Sequence, residues 1–399
     1  MWRRRPPPAE RKVDVPGSRH DPSSADDGVD VLFDARHIRQ SGIGTYIRTQ
    51  IPHLERVTAD RGLTLAVLTD ADSVSAVQDG TRVLTASPDG AAMYTAAEQR
   101  VWQHALDACR PRALWAPHYP FPLALLRPRD RAVRLFTTVH DTLHLEDAAL
   151  SNQGRARRAY AAAMLRLDAR RAATVFTPSD ATARRLGETT RAARVLVTPI
   201  PVDDVWFATE GLPDPGVGQP YLLYVGNVKR HKNLVLLLEA FTRISANIPH
   251  RLVIAGGGET LRTADDRVGR IVAELGTRVE VTGQVPFDRL RALVAGADLL
   301  IMPSLYEGAG LPPLEAMASR TAVLASDIPV LRETCGDGAE FFDPHDSGAL
   351  GQLLIRLCGD DDARRGLAER GFAHVTRRQA GIDPAAAATR ICSGLETSR

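Results

Sequence analysis

Two series of short apolar runs, each alternating with longer segments of helical spacing, constrain the fold of this chain more than any other feature. The strand-like runs of the first series lie at 29–34, 63–68, 113–116, 134–139, 174–177 and 194–198, and those of the second at 221–225, 251–255, 279–282, 299–302 and 322–326. Strands that alternate with helices form parallel sheets covered by helices on both faces. The sequence therefore predicts an α/β chain with two doubly wound, Rossmann-like domains.

Residues 203–220 separate the two series, because they lose the apolar periodicity and gain Gly and Pro. We predict a first domain at 29–202, this linker, a second domain at 221–375, and a C-terminal helix at 376–399 that can pack back on the first domain. Residues 1–28 contain five prolines and little to bury, which predicts a disordered tail. Ligands of doubly wound sheets bind at the carboxyl ends of the strands, so the site is expected in the cleft between the domains.

The basic residues are unusual in type rather than in number. The 399 residues include 50 basic and 48 acidic side chains, and so balanced a charge does not favour nucleic acid as the main partner. Only three of the basic residues are lysines, namely Lys12, Lys229 and Lys232. Where arginine replaces lysine almost everywhere, two lysines within four residues indicate a site that needs a compact ammonium group.

Cysteine spacing and hydropathy bear on the compartment. The four cysteines are far apart and form no Cys-x-x-Cys pair, so neither a zinc site nor a disulfide framework is predicted, and a reducing compartment is favoured. Prolines follow the basic start where an export signal would have its apolar stretch, and the longest apolar run, around 293–302, is too short to span a bilayer. We expect a soluble, cytoplasmic protein.

A glycine-rich loop before a helix is the strongest motif of the sequence. Residues 306–318 read Tyr-Glu-Gly-Ala-Gly-Leu-Pro-Pro-Leu-Glu-Ala-Met-Ala, and the two prolines suit the first turn of a helix, where the amide they lack would be unpaired. The free amides and the dipole at a helix start suit a phosphate or diphosphate. Glu307 and Glu315 can accept hydrogen bonds from sugar and ribose hydroxyls. An ordinary capped helix with surface carboxylates is the alternative.

This segment resembles the Glu-x7-Glu motif of the retaining glycosyltransferases of family four, the group one glycosyl transferases, which have the two-domain GT-B architecture. Further segments resemble the family in its order along the chain: Ser41-Gly42-Ile43-Gly44, Thr137-Thr-Val-His140-Asp141, Val175-Phe-Thr-Pro-Ser179, Lys229-Arg-His-Lys232 within 224–234, and Val281-Thr-Gly283. The resemblance runs from about residue 30 to residue 375. It implies two Rossmann-like domains that face each other across a cleft.

The resemblance also implies a site made from both domains. Its catalytic residues are His140, Lys232 and Glu307, with Lys232 on the donor diphosphate and His140 on donor hydroxyls or on the acceptor. The donor-binding residues that it implies are Gly42, Gly44, Gly226, Asn227, Lys229, Lys232, Gly283, Glu307, Gly308, Ala309, Gly310, Leu311 and Glu315. For His140, a histidine that only completes the end of a strand is the alternative.

The implied function is retaining transfer of a hexose, such as mannose or glucose, from a nucleoside-diphosphate sugar to a glycan, a lipid-linked or a small-molecule acceptor. Fixed cations and amides around the diphosphate stabilise the charge that develops on it, so no metal and no cofactor is expected. The alternatives are a sugar-nucleotide epimerase, a phosphorylase, which would need a further lysine for pyridoxal phosphate, and a non-catalytic sugar-nucleotide binding protein.

Arginines are concentrated at 151–200, where ten of them stand against three acidic residues. Helical spacing gathers Arg155, Arg158, Arg166 and Arg170 on one side of a helix that also carries apolar residues. Such a face can rest on an anionic membrane surface at the inner side of the membrane. An arginine-rich solvated helix is the alternative.

Three other polar features are assigned structural roles. Asp70 and Asp72 lie too early in the chain to join the donor motifs, and Asp360 is expected to cap a helix. His118 is expected to pack within a loop. The glycine run at 256–258 lacks the full dinucleotide-binding pattern.

Overall fold

Seven parallel strands form a sheet in the first half of the chain. The computed structural model describes residues 28–40, 42–78, 80–146, 148–151, 153–190, 194–256 and 266–396, so all of the tail expected at 1–28 except Gly28 lies outside the described residues. The strands are β1 (Val31–Asp34), β2 (Leu65–Thr69), β3 (Arg82–Thr85), β4 (Ala113–Ala116), β5 (Arg134–Thr138), β6 (Ala172–Thr177) and β7 (Val195–Val197). They pair in parallel in the order β3-β2-β1-β4-β5-β6-β7.

Helices cover both faces of this sheet. They are α1 (Ile43–Asp60), α2 (Ala96–Cys109), α3 (Ala148–Ser151), α4 (Arg155–Arg171) and α5 (Asp180–Thr190). On α1, Ile47, Ile51 and Leu54 are buried in the apolar cluster on one face of the sheet, and Trp102 of α2 and Leu165 of α4 are buried in the cluster on the other. The spacing of three and four residues on α1 is the helical periodicity that the sequence shows between its strand-like runs.

The second half of the chain forms a six-stranded parallel sheet that also has helices on both faces. Its strands are β8 (Tyr221–Val225), β9 (Arg251–Ala255), β10 (Val279–Gly283), β11 (Leu299–Met302), β12 (Ala322–Ser326) and β13 (Glu340–Phe342), in the order β10-β9-β8-β11-β12-β13. Its helices and those that follow are α6 (Leu234–Ile244), α7 (Asp266–Leu275), α8 (Phe287–Ala295), α9 (Leu311–Ala318), α10 (Pro329–Cys335), α11 (Ser347–Gly359), α12 (Asp361–Ala380) and α13 (Ala386–Glu396). The predicted class, two doubly wound α/β units, is confirmed.

The end of the chain returns to the first sheet. Helix α12 runs past residue 375, and α13 then buries Ile391 in the same apolar cluster as Ile47 of α1. The side chain of Gln379 exchanges two hydrogen bonds with the backbone of Val202: its Oε1 accepts from the Val202 N–H at 3.0 Å, and its Nε2 donates to the Val202 carbonyl at 2.9 Å. These hydrogen bonds connect the segment that leaves the first sheet, at Val202, with the segment that returns to it, at Gln379.

Two short strands of the structure have no counterpart among the predicted runs. β3 and β13 contain four and three residues and lie at the edges of their sheets. Both include charged or partly exposed side chains, so neither has the continuous apolar run by which the central strands are recognised. Within the described residues, no helix has the length and apolar character needed to cross a bilayer.

Candidate active site

The loop between β11 and α9 carries Glu307, the first glutamate of the motif, and it meets the loop that follows β8. β8 and β11 are neighbours in the sheet, so the loops at their carboxyl ends lie side by side, and the backbone N–H of Leu305 donates to the carbonyl of His231 at 2.8 Å. Gly310 has a φ of +65°, a conformation that glycine adopts without strain. From it the chain enters α9 with Pro312 and Pro313 in the first turn. The two loops form one polar surface at the edge of the sheet.

Lys232 and Glu307 form the centre of this surface. Nζ of Lys232 donates to both carboxylate oxygens of Glu307, at 2.7 and 2.9 Å, and Oγ of Ser304 donates to Oε1 of Glu307 at 2.6 Å. The side chains of Lys232 and Glu307 are only 16% and 9% exposed, so solvent screens their attraction weakly. Each neutralises the charge of the other, and a diphosphate would have to compete with Glu307 for the ammonium group.

Glu315 lies one turn further along, within α9, and its side chain is partly exposed. Burial raises the pKa of Glu315 to about 7, and the negative charge of Asp203 adds to the effect. Hydrogen bonds to a carboxylate favour its charged form. A ligand hydroxyl that donates to Glu315 would therefore lower this pKa again.

Glycines bring the ends of β8, β9 and β10 close together. A Cβ atom on Gly256 would lie 2.4 Å from the carbonyl oxygen of Gly226, and the N–H of Gly256 donates to the carbonyl of Gly283 at 2.9 Å. The carbonyl of Asn227 accepts a hydrogen bond from the Tyr224 hydroxyl at 2.7 Å. The expected donor-binding residues Gly226, Asn227 and Gly283 thus lie at the same edge of the sheet as the loop that carries Lys229 and Lys232.

His140 lies in the loop after β5, and its ring contacts residues of the first domain. Its Nε2 donates to the carbonyl of Pro117 at 2.8 Å, and its ring packs edge-on against Tyr46 with the ring centroids 4.9 Å apart. Burial lowers the pKa of His140 to about 4, so the ring is neutral and Nδ1 is an acceptor. His140 can hold a sugar hydroxyl in place, but it is a weak base at neutral pH.

The loop after β11 touches the first domain directly. A Cβ atom on Gly308 would lie 2.2 Å from the carbonyl oxygen of His140, and the Gly308 carbonyl accepts from Oγ of Ser179 at 3.0 Å. The hydroxyl of Tyr306 accepts from the backbone N–H of Thr142 at 3.0 Å. The structure therefore brings all three residues that the resemblance marked as catalytic to one cleft, where the domains are in contact.

The glycine loop before α1 reaches the same cleft. Gly42 has a φ of +72° and precedes the first residue of α1, and a Cβ atom on Gly44 would lie 2.4 Å from a backbone carbonyl oxygen. Ile43 between them packs on the same apolar cluster as Ala309 and Leu311 of the second domain. The amino end of α1 and that of α9 thus lie on the two sides of one interface.

A buried polar cluster in the first domain was missed by sequence reasoning. His118, expected to pack within a loop, donates from Nε2 to Oε1 of Glu98 at 2.8 Å, and Nε2 of His37 lies 3.7 Å from the same oxygen. These three side chains are close enough to share a metal ion. However, the guanidinium of Arg36, which pairs with Asp34, lies 3.8 Å from that oxygen, so a further cation would be repelled. Arg36 and His37, which follow β1 directly after Ala35, are the polar residues in the sequence that could have indicated this cluster.

The acidic groups set aside in the sequence analysis have structural partners. Asp72 forms an ion pair with Arg39 at 2.6 Å, and Asp70 accepts a backbone N–H at 3.1 Å. Asp360 accepts the N–H of Ala363 at 2.9 Å at the start of α12. The prediction that Asp360 caps a helix is confirmed.

The arginine-rich helix α4 buries most of the apolar residues of the membrane face expected for it. Met164 and Leu165 are buried in the core and Leu167 packs against the same cluster, whereas Arg166 and Arg170 are exposed. Tyr160 of the same helix is 37% exposed, so one large apolar residue remains at the surface, and contact with a membrane stays a prediction. The physical reason for the burial of the others is that α4 turns Met164, Leu165 and Leu167 to the sheet.

Comparison with known proteins gives the family. Residues 213–374 match the model of the glycosyl transferases group 1, and residues 41–202 match that of the glycosyl transferase 4-like domain. The chain belongs to the group 1 glycosyl transferases.

The sequence of a curated relative matches only part of this chain, whereas the folds of solved structures match most of it. The O-antigen chain mannosyltransferase B of Escherichia coli is 34% identical over 160 residues, which are 39% of this chain and 41% of that protein, so the match spans less than half of the curated relative. Sucrose-phosphate synthase from Thermosynechococcus elongatus superposes with a TM-score of 0.71 at 20% identity, over 92% of this chain and 98% of that one. HepE of Anabaena in complex with UDP-glucose gives 0.70 at 18% identity, over 92% and 100%. The fold is the two-domain GT-B architecture.

Proposed function

We propose that this chain is a retaining hexosyltransferase that moves a sugar from a nucleoside diphosphate to an acceptor hydroxyl. The observation that carries the proposal is the bidentate pair of Lys232 and Glu307 in the loops before α9, next to Gly308, which contacts the backbone carbonyl of His140 across the cleft. Membership of the group 1 family supports sugar transfer. A relative named as a mannosyltransferase and a structural neighbour holding UDP-glucose support mannose or glucose as the hexose and a role in polysaccharide biosynthesis.

The residues divide the chemistry between them. As the bond between the anomeric carbon and the phosphate oxygen breaks, negative charge develops on the diphosphate, and the Lys232 ammonium and the free amides at the start of α9 stabilise it. Glu307, released from Lys232, accepts hydrogen bonds from the donor sugar, and Glu315 accepts them from the ribose. The acceptor oxygen bonds to the anomeric carbon from the same face, while the departing phosphate oxygen takes the acceptor proton. Side chains and amides supply the positive charge, so transfer should need no metal.

Donor binding and turnover test this proposal. UDP-, GDP- and ADP-sugars are screened for thermal stabilisation, since a ligand at 100 times its Kd adds about 2.7 kcal/mol, and release of nucleoside diphosphate is then followed in EDTA with and without acceptors. A transferase needs an acceptor for rapid release. Rapid release without an acceptor would indicate an epimerase, and binding without any turnover a non-catalytic protein.

A substitution at Glu307 links the assay to the site. Glu307→Gln keeps the shape of the side chain but removes the charged acceptor, so turnover should fall roughly 100-fold, as expected for one well-placed electrostatic contact. Glu274→Gln on α7, whose side chain is exposed, is the matched control and should leave turnover unchanged. Equal turnover in Glu307→Gln and the wild type would contradict the proposal.

A cytoplasmic location belongs to the proposal as well. All four cysteines are buried and free, as is usual for proteins of reducing compartments. Peripheral contact with the inner face of a membrane stays a hypothesis that concerns the exposed arginines of α4.

A further inference from the structure

A group of basic side chains that is separate from Lys232 lines a cavity in the first domain. A cavity of about 280 Å³ is lined by His144, Leu145, Arg155, Arg158, Ala159 and Ala162. These residues come from the turn that follows β5 and from the first two turns of α4. Two of these six residues are arginines and none carries a carboxylate, so the charged side chains of the lining are cationic.

The two arginines of the cavity differ from a neighbouring arginine in their pairing. No aspartate or glutamate of the described residues forms an ion pair with Arg155 or Arg158, whereas Arg185 on the neighbouring helix α5 pairs with Glu146 at 2.8 Å. Nε of Arg158 is also buried without a hydrogen-bond acceptor. A buried donor that lacks an acceptor is destabilising, and the planar guanidinium matches phosphate and carboxylate groups. The cavity therefore has the chemistry of an anion site.

The cavity adjoins the cleft between the domains. Burial lowers the pKa of His144, and the charges of Asp141 and Lys229 act on it in opposite directions. Lys229 belongs to the loop after β8 in the second domain, so a charge of the expected donor-binding loop acts on His144 across the cleft. Thr142, two residues before His144, is hydrogen-bonded to Tyr306 at 2.7 Å. The cavity thus lies on the side of the first domain that meets the loops after β8 and β11.

Aromatic rings adjoin His144. The ring centroids of Tyr94 and Tyr119 lie 5.3 Å apart, and each lies within 5.7 Å of the His144 ring. Tyr94 is 42% exposed and has a φ of +65°, which a residue with a side chain seldom adopts unless the surroundings hold it there. Its N–H donates to Oε2 of the buried Glu98 at 2.7 Å. An exposed tyrosine held in this way offers a ring face and a hydroxyl to a sugar.

We propose that the cavity binds a phosphate or carboxylate group of the glycosyl acceptor, with Arg155 and Arg158 as its ligands and Tyr94 beside the acceptor sugar. This inference rests on the proposed function, because it names the class of acceptor as an anionic sugar. A soluble sugar phosphate and a lipid-linked sugar phosphate share this chemistry.

Titration calorimetry tests the site with defined probes. With the donor site saturated by the most stabilising nucleoside diphosphate, the probes are glucose 6-phosphate, glucose 1-phosphate, glucuronate and inorganic phosphate, with neutral glucose for comparison. We expect anionic probes to bind better than glucose, and Arg155→Ala and Arg158→Ala each to weaken their binding about 10- to 100-fold, as for the loss of a hydrogen bond to a charged group. Arg157→Ala, an exposed neighbour outside the cavity lining, should not weaken it.

Sedimentation with phosphatidylglycerol vesicles distinguishes the two sources of the anion. Vesicle binding that is lost in Arg155→Ala and Arg158→Ala, but kept in Arg157→Ala, assigns the site to a lipid-linked phosphate. Binding of the soluble probes alone assigns it to a soluble sugar phosphate. The inference is overturned if neither vesicles nor anionic probes bind, or if Arg157→Ala weakens binding equally. Failure of every nucleoside diphosphate to bind would instead refute the proposed function, and the probes would then be titrated into the protein alone.

Discussion

Replacing Glu315 with Gln should stabilise the protein at alkaline pH and at the same time alter how nucleotide binding depends on pH. Burial raises the pKa of Glu315 to about 7 from an ordinary value of 4.5, with a smaller contribution from Asp203. Because the folded pKa lies above the unfolded one, the native state holds more protons than the unfolded chain between these two values. Stability from this group is therefore lost as the pH rises through that window.

The magnitude follows from the two pKa values. At about 1.4 kcal/mol for each pH unit, the difference between 4.5 and about 7 corresponds to roughly 3 kcal/mol. The side chain is partly exposed, so screening by solvent reduces this figure to about 1–2 kcal/mol. Glutamine stays neutral at every pH, so Glu315→Gln should be more stable than the wild type by about this amount at pH 8, and by little at pH 5.

Urea unfolding of both proteins at these two pH values measures the effect, and Glu274→Gln, which replaces an exposed carboxylate of the same domain, is the control. The nucleotide supplies a second readout. If ribose hydroxyls donate to charged Glu315, nucleoside diphosphate affinity should increase as the pH rises through about 7 in the wild type, and this increase should be absent in Glu315→Gln. A variant that is no more stable than the wild type at pH 8 would refute the reasoning.

Three further predictions concern other residues. Lys232→Ala should weaken nucleoside diphosphate binding at least tenfold, because it removes a charged hydrogen-bond donor, and Lys232→Arg should restore only part of it since the guanidinium has a different reach; equal affinity in Lys232→Ala and the wild type would exclude Lys232 from the phosphate site. Burial alone raises the pKa of Asp168 well above its ordinary value, and both carboxylate oxygens are buried without a partner, so Asp168→Leu should raise the free energy of unfolding by about 1–3 kcal/mol, more at pH 8 than at pH 5, and a destabilised variant would contradict this. Gly308→Ala should lower turnover at least about tenfold by forcing the loop away from His140 and should leave the thermal unfolding of the domains almost unchanged; normal turnover would show that this contact is dispensable.

Local pattern was sufficient for the central strands and for the helices with strong periodicity. The runs at β8 and β11 are continuously apolar, and each is followed directly by a residue that ends a strand, Gly226 and Pro303. Strand propensity, burial and the end of the strand therefore all predict the same element there. The edge strands β3 and β13 did not have such runs, because a strand with one free edge is short and partly solvated. The position of the motif at the start of α9 was likewise readable, since Pro312 and Pro313 fit only the first turn.

Tertiary structure decided which of these elements meet. Lys232 and Glu307 are 75 residues apart and form a pair only because β8 and β11 are neighbours in the sheet, an order that no local pattern specifies. The arginines of α4 have the same residue type in the sequence, but packing turned Met164, Leu165 and Leu167 of that helix to the core and left Arg155 and Arg158 around a cavity. Burial also set the charge of Glu315 and His140, whose residue types alone predict ordinary pKa values. Desolvation and long-range contact depend on the assembled fold, whereas periodicity and turn chemistry act within a few residues.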